Sequence, residues 1–364
     1  MSRLARRVIH LASGREWRGG QNQVLLLARA LAARPADIEQ IVVTGRRSLL
    51  AERLEGAGVP VRPVGWRAGL SPAALAGTLR EVARGRALIH AHDAHALTIA
   101  GVAGTLTGSP YLVTRRVDFP LRRPALWRRA ARIIAISEAV REVLLADGIP
   151  SQRVVRVHSG IDLEAVRRTR SGDIRARLRL PESAPLAVAV GALVGHKDHR
   201  TLVDAAAQLR QSRPGLHWVI AGEGPLRSAL EAQIAGHAME NVVHLPGQVP
   251  DALRLIAAAD VFVMSSREEG LGTSVLDAMA LDVPIAATRA GGIPEMLDRG
   301  AGLLSPPGDS TALAASVARI LDDQALRASL IRRAQDRVEE FSATAMAEGV
   351  LAVYRSIVET VDLK

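Results

Sequence analysis

The chain of 364 residues has no cysteine, which excludes disulfides and thiolate metal sites. Aromatic residues are scarce: three Phe, two Tyr and four Trp leave few surfaces on which exposed bases could stack, which argues against a nucleic-acid-binding module. No stretch approaches the ~20 apolar residues of a membrane-spanning helix. The basic start, MSRLARRVIHLASGREW, holds an apolar run of only four or five residues and reads as a first strand, not as a signal peptide. Negative charge is sparse in one half only. Residues 1–170 carry 28 Lys/Arg against 13 Asp/Glu, net +15, whereas residues 171–364 carry 19 against 24, net −5. The asymmetry suits an anionic partner for the first half, with membrane phospholipid, a lipid-linked saccharide and nucleic acid as candidates. A high-GC genome that favours arginine accounts for it equally well.

What is present is alternation. Hydrophobic content of 48% and a mean hydropathy of +0.13 fit a globular α/β protein of about two domains. Apolar runs at Arg7–Leu11, Gln40–Thr44, Val59–Pro63, Ala87–Ala91, Tyr111–Thr114, Ile133–Ile136 and Val154–Val157 interleave with amphipathic helices, the pattern of a parallel sheet. After a polar, arginine-rich hinge over Glu164–Arg179, Leu186–Val190 begins a second series. The loop from Ser13 through Arg15 to Gly20 precedes a helix over Gln21–Ala33; Gly19 and Gly20 let backbone approach a ligand, but their spacing fits neither a dinucleotide fingerprint nor a Walker loop. Three histidines and an aspartate crowd the end of one strand, at His90, His92, Asp93 and His95, with His90 pointing into the sheet. With no partner cluster elsewhere, a zinc site is not expected there. Arg115, Arg116, Arg122, Arg123, Arg128, Arg129 and Arg132 alternate with Phe119, Leu121, Leu126 and Trp127, a pattern suited to anionic lipid headgroups or to a solvated loop.

Residues Val261–Leu297 hold the densest chemistry. Val261–Met264 reads as a buried strand; Arg267, Glu268, Glu269, Gly270 and Gly272 form a loop, and Thr273 caps a helix with Val275, Leu276 and Met279 on one face. Glu269 and Asp277, with seven residues between them, fall at the loop tip and about one turn into the helix, where two carboxylates suit a polyhydroxyl ligand. Gly291-Gly292 and Pro294 open a short helix whose amides form an anion site.

Glu269, Gly270-Leu271-Gly272, Thr273, Asp277 before Ala278-Met279-Ala280, then Pro284–Thr288 and Gly291–Glu295 together resemble the donor-site signature of retaining glycosyltransferases of family 4. The resemblance extends over essentially the whole chain and is strongest from Leu186 to Asp309. It implies a GT-B fold: α/β, with two Rossmann-like doubly wound parallel-sheet domains facing across a cleft. Residues 1–165 would bind the acceptor and 166–342 the nucleotide sugar, and a helix over 343–364 would cross back to the first domain.

In that family the first carboxylate, here Glu269, holds the donor sugar, and the second, normally glutamate but here Asp277, holds the ribose diol. Lys197 matches the lysine that binds the diphosphate, whereas the arginine that usually accompanies it is Ala192 here. Arg200, Arg267 or the Gly20 amide would then offset the charge. Gly19 and Gly20 would close over the diphosphate, the turns at Gly222 and at Gly247–Val249 would border the nucleobase, and His95 or His92 would contact the sugar near the reacting carbon. The implied activity is transfer of a sugar from a nucleotide diphosphate sugar to a glycan or lipid-linked acceptor, as in cell-envelope polysaccharide or lipopolysaccharide synthesis. It needs no metal or other cofactor and no nucleic acid, and would take place in the cytoplasm or at the inner face of the cytoplasmic membrane. A nucleotide-sugar epimerase, a basic nucleic-acid-binding protein and a donor-binding protein without activity are the competing readings.

Overall fold

The computed structural model describes residues 7–14, 16–34, 38–66, 69, 71–121 and 124–362. Arg15, Arg122 and Arg123, named above in the glycine loop and the basic stretch, lie outside the described residues. The chain divides into two compact units, one within 1–160 and 342–364 and the other within 161–341.

The first unit is built on seven parallel strands: β1 (Arg7–Ala12), β2 (Glu39–Gly45), β3 (Val61–Val64), β4 (Leu88–Ala91), β5 (Tyr111–Arg115), β6 (Arg132–Ala135) and β7 (Val154–Arg156). Their order is β3-β2-β1-β4-β5-β6-β7, so the winding reverses where β1 meets β4. β4 is buried along its whole length, as expected of a strand covered on both faces. The helices begin where the sequence supplies caps. Ser48, Ser71, Asp93 and Ser137 accept hydrogen bonds from Ala51, Ala74, Ala96 and Val140, each satisfying an otherwise orphaned first-turn amide. The last helix, Ala343–Asp362, buries Met346, Val350, Leu351, Tyr354 and Ile357 in one cluster with Val8, Leu31, Leu88 and Leu112, so it is a covering layer of the first sheet.

Part of the unit's positive charge is internal. Glu81, fully buried, takes Arg7, Arg62 and Arg84 as ion-pair partners, and breaking such a cluster leaves an uncompensated buried charge.

The second unit carries β8 (Leu186–Val190), β9 (His217–Ala221), β10 (Val243–His244), β11 (Val261–Met264), β12 (Ile285–Thr288) and β13 (Leu303–Ser305) in the order β10-β9-β8-β11-β12-β13. All of its pairings are parallel, and the winding reverses between β8 and β11. Its core holds Trp218, Leu202, Val203, Leu230, Val263 and Val317. The segment expected to be a polar hinge instead contains two short helices, Leu163–Arg167 and Ile174–Arg177, which bury Leu163, Val166 and Ile174. The periodic apolar residues there outweigh the surrounding arginines. Among the described residues no helix is long and apolar enough to cross a membrane.

Candidate active site

In open α/β sheets ligands bind beyond the carboxyl ends of the strands where the winding reverses, because the two flanking loops part there. Several of the sequence-predicted residues of each unit lie at or beside that place.

In the second unit, the turn after β8 runs through Gly191 to a short 3-10 segment ending at Lys197. The loop after β11 carries Glu269. Lys197 Nζ donates to Glu269 Oε2, and only 17% and 13% of the two side chains remain exposed, so the pair is largely desolvated. Ser266 Oγ donates to the same carboxylate oxygen at 3.4 Å.

The Gly291-Gly292 turn has a different role from the one expected. Gly292 N donates to Glu269 O at 3.0 Å and Ile293 N to Ala290 O, so these amides are not offered to an anion. Gly291 holds φ at 49°, and a Cβ there would sit 1.7 Å from Glu269 O. The turn is a clamp on the backbone of Glu269, and only glycine permits the approach. Thr273 is the first residue of the helix Thr273–Ala280, with Gly272 in the cap position at φ 87°. Leu271 is buried, as is Gly270.

Asp277 lies on that helix, half-buried, and its carboxyl makes no hydrogen bond or ion pair among the described residues. Desolvation pushes it up to about 7. A buried carboxyl with no protein donor is costly unless something else supplies the donors.

Of the groups expected to replace the missing arginine, Arg267 is held by Asp198 through Nε–Oδ2 at 2.7 Å. Arg200 is exposed on the helix His199–Leu209, and Ala192 is exposed. Neighbouring turns are tied to the same rim: Gly191 N donates to Ala221 O at 3.0 Å and Gly222 N to Gly247 O at 2.8 Å. Gly222 must be glycine, since a Cβ would meet Gly191 O at 1.9 Å. Val249, half-buried, follows in the loop beyond β10.

In the first unit, the expected helix at Gln21 begins two residues earlier, so Gly19 and Gly20 form the first turn of Gly19–Ala32. Their amides have no intrahelical acceptor, and an added Cβ at either would meet nothing within 4 Å. Internal packing does not require glycine at either position. The Asp93 carboxylate orients no histidine among the described residues: it accepts from Ser13 N, Ser13 Oγ and Ala96 N, pinning the loop after β1 to the start of the helix Ala94–Thr107.

The two candidate histidines part company. His95 is exposed at the second residue of that helix. His92 is buried, bonded to His10 through Nε2–Nδ1 at 2.9 Å, with Arg116 donating to its carbonyl at 2.9 Å and to Nδ1 at 3.3 Å. A guanidinium can only donate, so Nδ1 of a neutral His92 accepts and Nε2 carries the proton given to His10. Both nitrogens are thereby committed.

His90 bonds Tyr354 Oη at 2.6 Å and Thr114 Oγ1 at 2.7 Å. Burial, then neighbouring positive charge, drives His90 and His92 well below the usual imidazole range; burial lowers His10 to about 3 and Arg116 to about 10. The ligand nitrogens of His10, His90 and His92 lie within 4.8 Å of one another, close enough for metal ligation. However, His90 spends both nitrogens on hydroxyls and a guanidinium adjoins His92, an unfavourable place for a dication.

His10 and Arg116 escaped the sequence reading. The only available signal for His10 was the register that sets it beside His90 on the next strand. In the basic stretch Trp127 proves buried, 5.4 Å beneath Arg115, whereas Val117 and Phe119 remain exposed.

The profile of the group 1 glycosyl transferases matches residues 171–337, and that of glycosyltransferase family 4 matches residues 17–165. The chain is 29% identical over 383 aligned positions to the 2-deoxystreptamine glucosyltransferase of Streptomyces kanamyceticus, covering 93% of this chain and 98% of that one. It is 33% identical over 185 positions to the lipopolysaccharide core biosynthesis glycosyltransferase LpsE of Rhizobium meliloti, covering 50% and 53%. Among solved structures it superposes on Anabaena HepE in complex with UDP-glucose with a TM-score of 0.82 at 21% identity, over 98% of this chain and all of that one. A Rickettsia africae glycosyltransferase gives 0.84 at 17%, over 97% and 98%. The epimerase and nucleic-acid readings gain no support from these likenesses.

Proposed function

Because the chain belongs to the group 1 glycosyltransferases, we propose that it moves a sugar from a nucleoside diphosphate sugar to a glycan or lipid-linked acceptor, with retention at the anomeric carbon. The single observation that carries the reading is Asp277, a half-buried carboxyl with a raised pKa and no donor among the described residues, on the helix that leaves the Glu269 loop. A ribose diol supplies two hydroxyl donors to such a group. Relatives named for lipopolysaccharide core, teichuronic acid and colanic acid biosynthesis support a glycan acceptor, and UDP, present in HepE, is the first nucleotide to test.

In the mechanism we infer, the acceptor hydroxyl attacks the anomeric carbon from the face that the diphosphate leaves. The new C–O bond forms as the bond to the phosphate oxygen breaks, and a phosphate oxygen takes the acceptor's proton. Lys197 then leaves its partner to stabilise the departing charge, and Glu269 is released to accept from donor-sugar hydroxyls. Gly19 and Gly20, open toward solvent, bring backbone amides to the diphosphate. His95 is the histidine free to face the sugar. Gly222 and the Gly247–Val249 turn border the base. No metal takes part. The reaction runs in the cytoplasm or at its membrane face, where exposed Val117, Phe119, Arg128 and Arg129 of the same basic stretch would touch anionic lipid.

The test is thermal stabilisation by UDP, GDP, ADP, CMP and TDP. One of them at 100 times its dissociation constant should add about 2.7 kcal/mol of stability. EDTA should leave the gain unchanged. Stabilisation by none would end the donor reading.

A further inference from the structure

A cavity of about 340 Å³ opens at the carboxyl ends of β2 and β3, lined by Gly45, Arg46, Arg47, Ser48, Gly65 and Trp66 among others. It belongs to the first unit and contains none of the residues discussed above as donor contacts. Its walls are held by main-chain bonds: Arg46 N donates to Val64 O at 2.7 Å and Ser48 N to Gly45 O at 3.2 Å, while Ser71 Oγ donates to Gly65 O at 3.0 Å. Trp66, 4% exposed, forms an apolar side.

The arginines are the informative part. Elsewhere in this unit Arg7, Arg62 and Arg84 serve Glu81, and Arg115 and Arg116 serve main-chain carbonyls. Arg46 and Arg47 are exposed, and neither side chain meets an acceptor among the described residues. Two adjacent arginines therefore line a concave wall that has no carboxylate among its described residues, an arrangement suited to a planar or tetrahedral oxyanion. The volume suits a phosphorylated sugar or polyol, at the lower end of ordinary small-ligand pockets.

We propose that this cavity is the acceptor subsite for an anionic group, a phosphate carried by the acceptor, and that it selects phosphorylated over neutral or cationic acceptors. The acceptor role rests on the transferase reading above; the affinity for the anion does not. The phosphate could belong to a soluble sugar phosphate or to a lipid headgroup. Leu49, 46% exposed just past Ser48, makes the second source worth its own arm.

The experiment uses the full chain and the double variant Arg46→Gln, Arg47→Gly. Glycine is chosen because Arg47 holds a φ of 64°, where glycine fits without strain, so the fold should survive. Glucose 6-phosphate should bind the wild type, more weakly as salt rises, while glucose and glucosamine should not. The double variant should bind it at least ten-fold more weakly and keep its stabilisation by UDP. Vesicles of phosphatidylglycerol in phosphatidylcholine form the second arm. Loss of vesicle binding in the variant, without any binding of glucose 6-phosphate to the wild type, assigns the phosphate to a lipid. Unchanged binding of both probes in the variant overturns the proposal, as does equal loss of UDP, which would make the cavity part of the donor site. Failure of UDP with glucose 6-phosphate binding intact would end the transferase reading and the acceptor role with it, and leave an anion site.

Discussion

The two winding reversals share a geometry and differ in chemistry. The rim at β1 and β4 is bonded largely within itself: neutral His10, His90 and His92 bond to one another or to Arg116, Thr114 and Tyr354, leaving His10 Nε2 and Arg116 Nε without a partner among the described residues, and Asp93 is spent on Ser13 and a helix cap. The rim at β8 and β11 has a desolvated Lys197–Glu269 pair and an Asp277 to which no group among the described residues donates. A network bonded mostly within itself orders its loops, whereas a desolvated ion pair beside a carboxyl that no described residue donates to suits a polar ligand. The proposal that the second unit holds the donor and the first the acceptor rests on this difference.

Acid should separate the two most strongly. The three buried imidazoles have folded values below their unfolded 6.5, so the unfolded first unit takes up protons that the folded one refuses. Their contribution is full above pH 6.5 and falls as pH drops, by as much as about 4 kcal/mol per pH unit for three protons. In the second unit His199, lowered to about 4, and the less buried His217 and His244, lowered by desolvation, act in the same direction. Asp277, raised to about 7, acts in the opposite one, losing stability as pH rises from 3.8 to 7. Hydrogen exchange at pH 5 should therefore show the first unit opening ahead of the second, and simultaneous opening would break the contrast.

Gly291→Ala should cost several kcal/mol, because the Cβ collides with the backbone of Glu269, and a melting scan should register the loss in the second unit alone. Glu269→Ala should lower transfer by about 100-fold or more, with the fold intact by circular dichroism. A wild-type rate would remove Glu269 from the chemistry. Asp277→Asn should raise the melting temperature at pH 8, where the buried charge is most unfavourable, and weaken UDP; tighter UDP binding would contradict the ribose role. Gly19→Ala should have the smallest effect on stability, a gain of up to about 1 kcal/mol in an open helical turn, with a measurable loss of nucleotide affinity.

The same contrast explains what was legible in the sequence. The second rim is written almost contiguously: β11, its loop and the Glu269–Asp277 spacing lie within a few dozen residues, so motif and period suffice. What was missed there depends on tertiary contact. The Gly291-Gly292 amides looked like an anion site because nothing local reveals that the Glu269 carbonyl already occupies one of them. The first rim draws on β1, β4 and β5, so His10 passed for a strand residue and Arg116 for one member of a surface patch. The stretch Glu164–Arg179 read as wholly polar for the opposite reason, since arginine density concealed two buried apolar positions, Val166 and Ile174.

Amide hydrogen exchange with and without UDP tests the central claim most directly. The account predicts slowed exchange at residues 190–199 and 265–278, with Gly45–Trp66 unchanged. Protection absent from those two segments, or confined to the first unit, would contradict it.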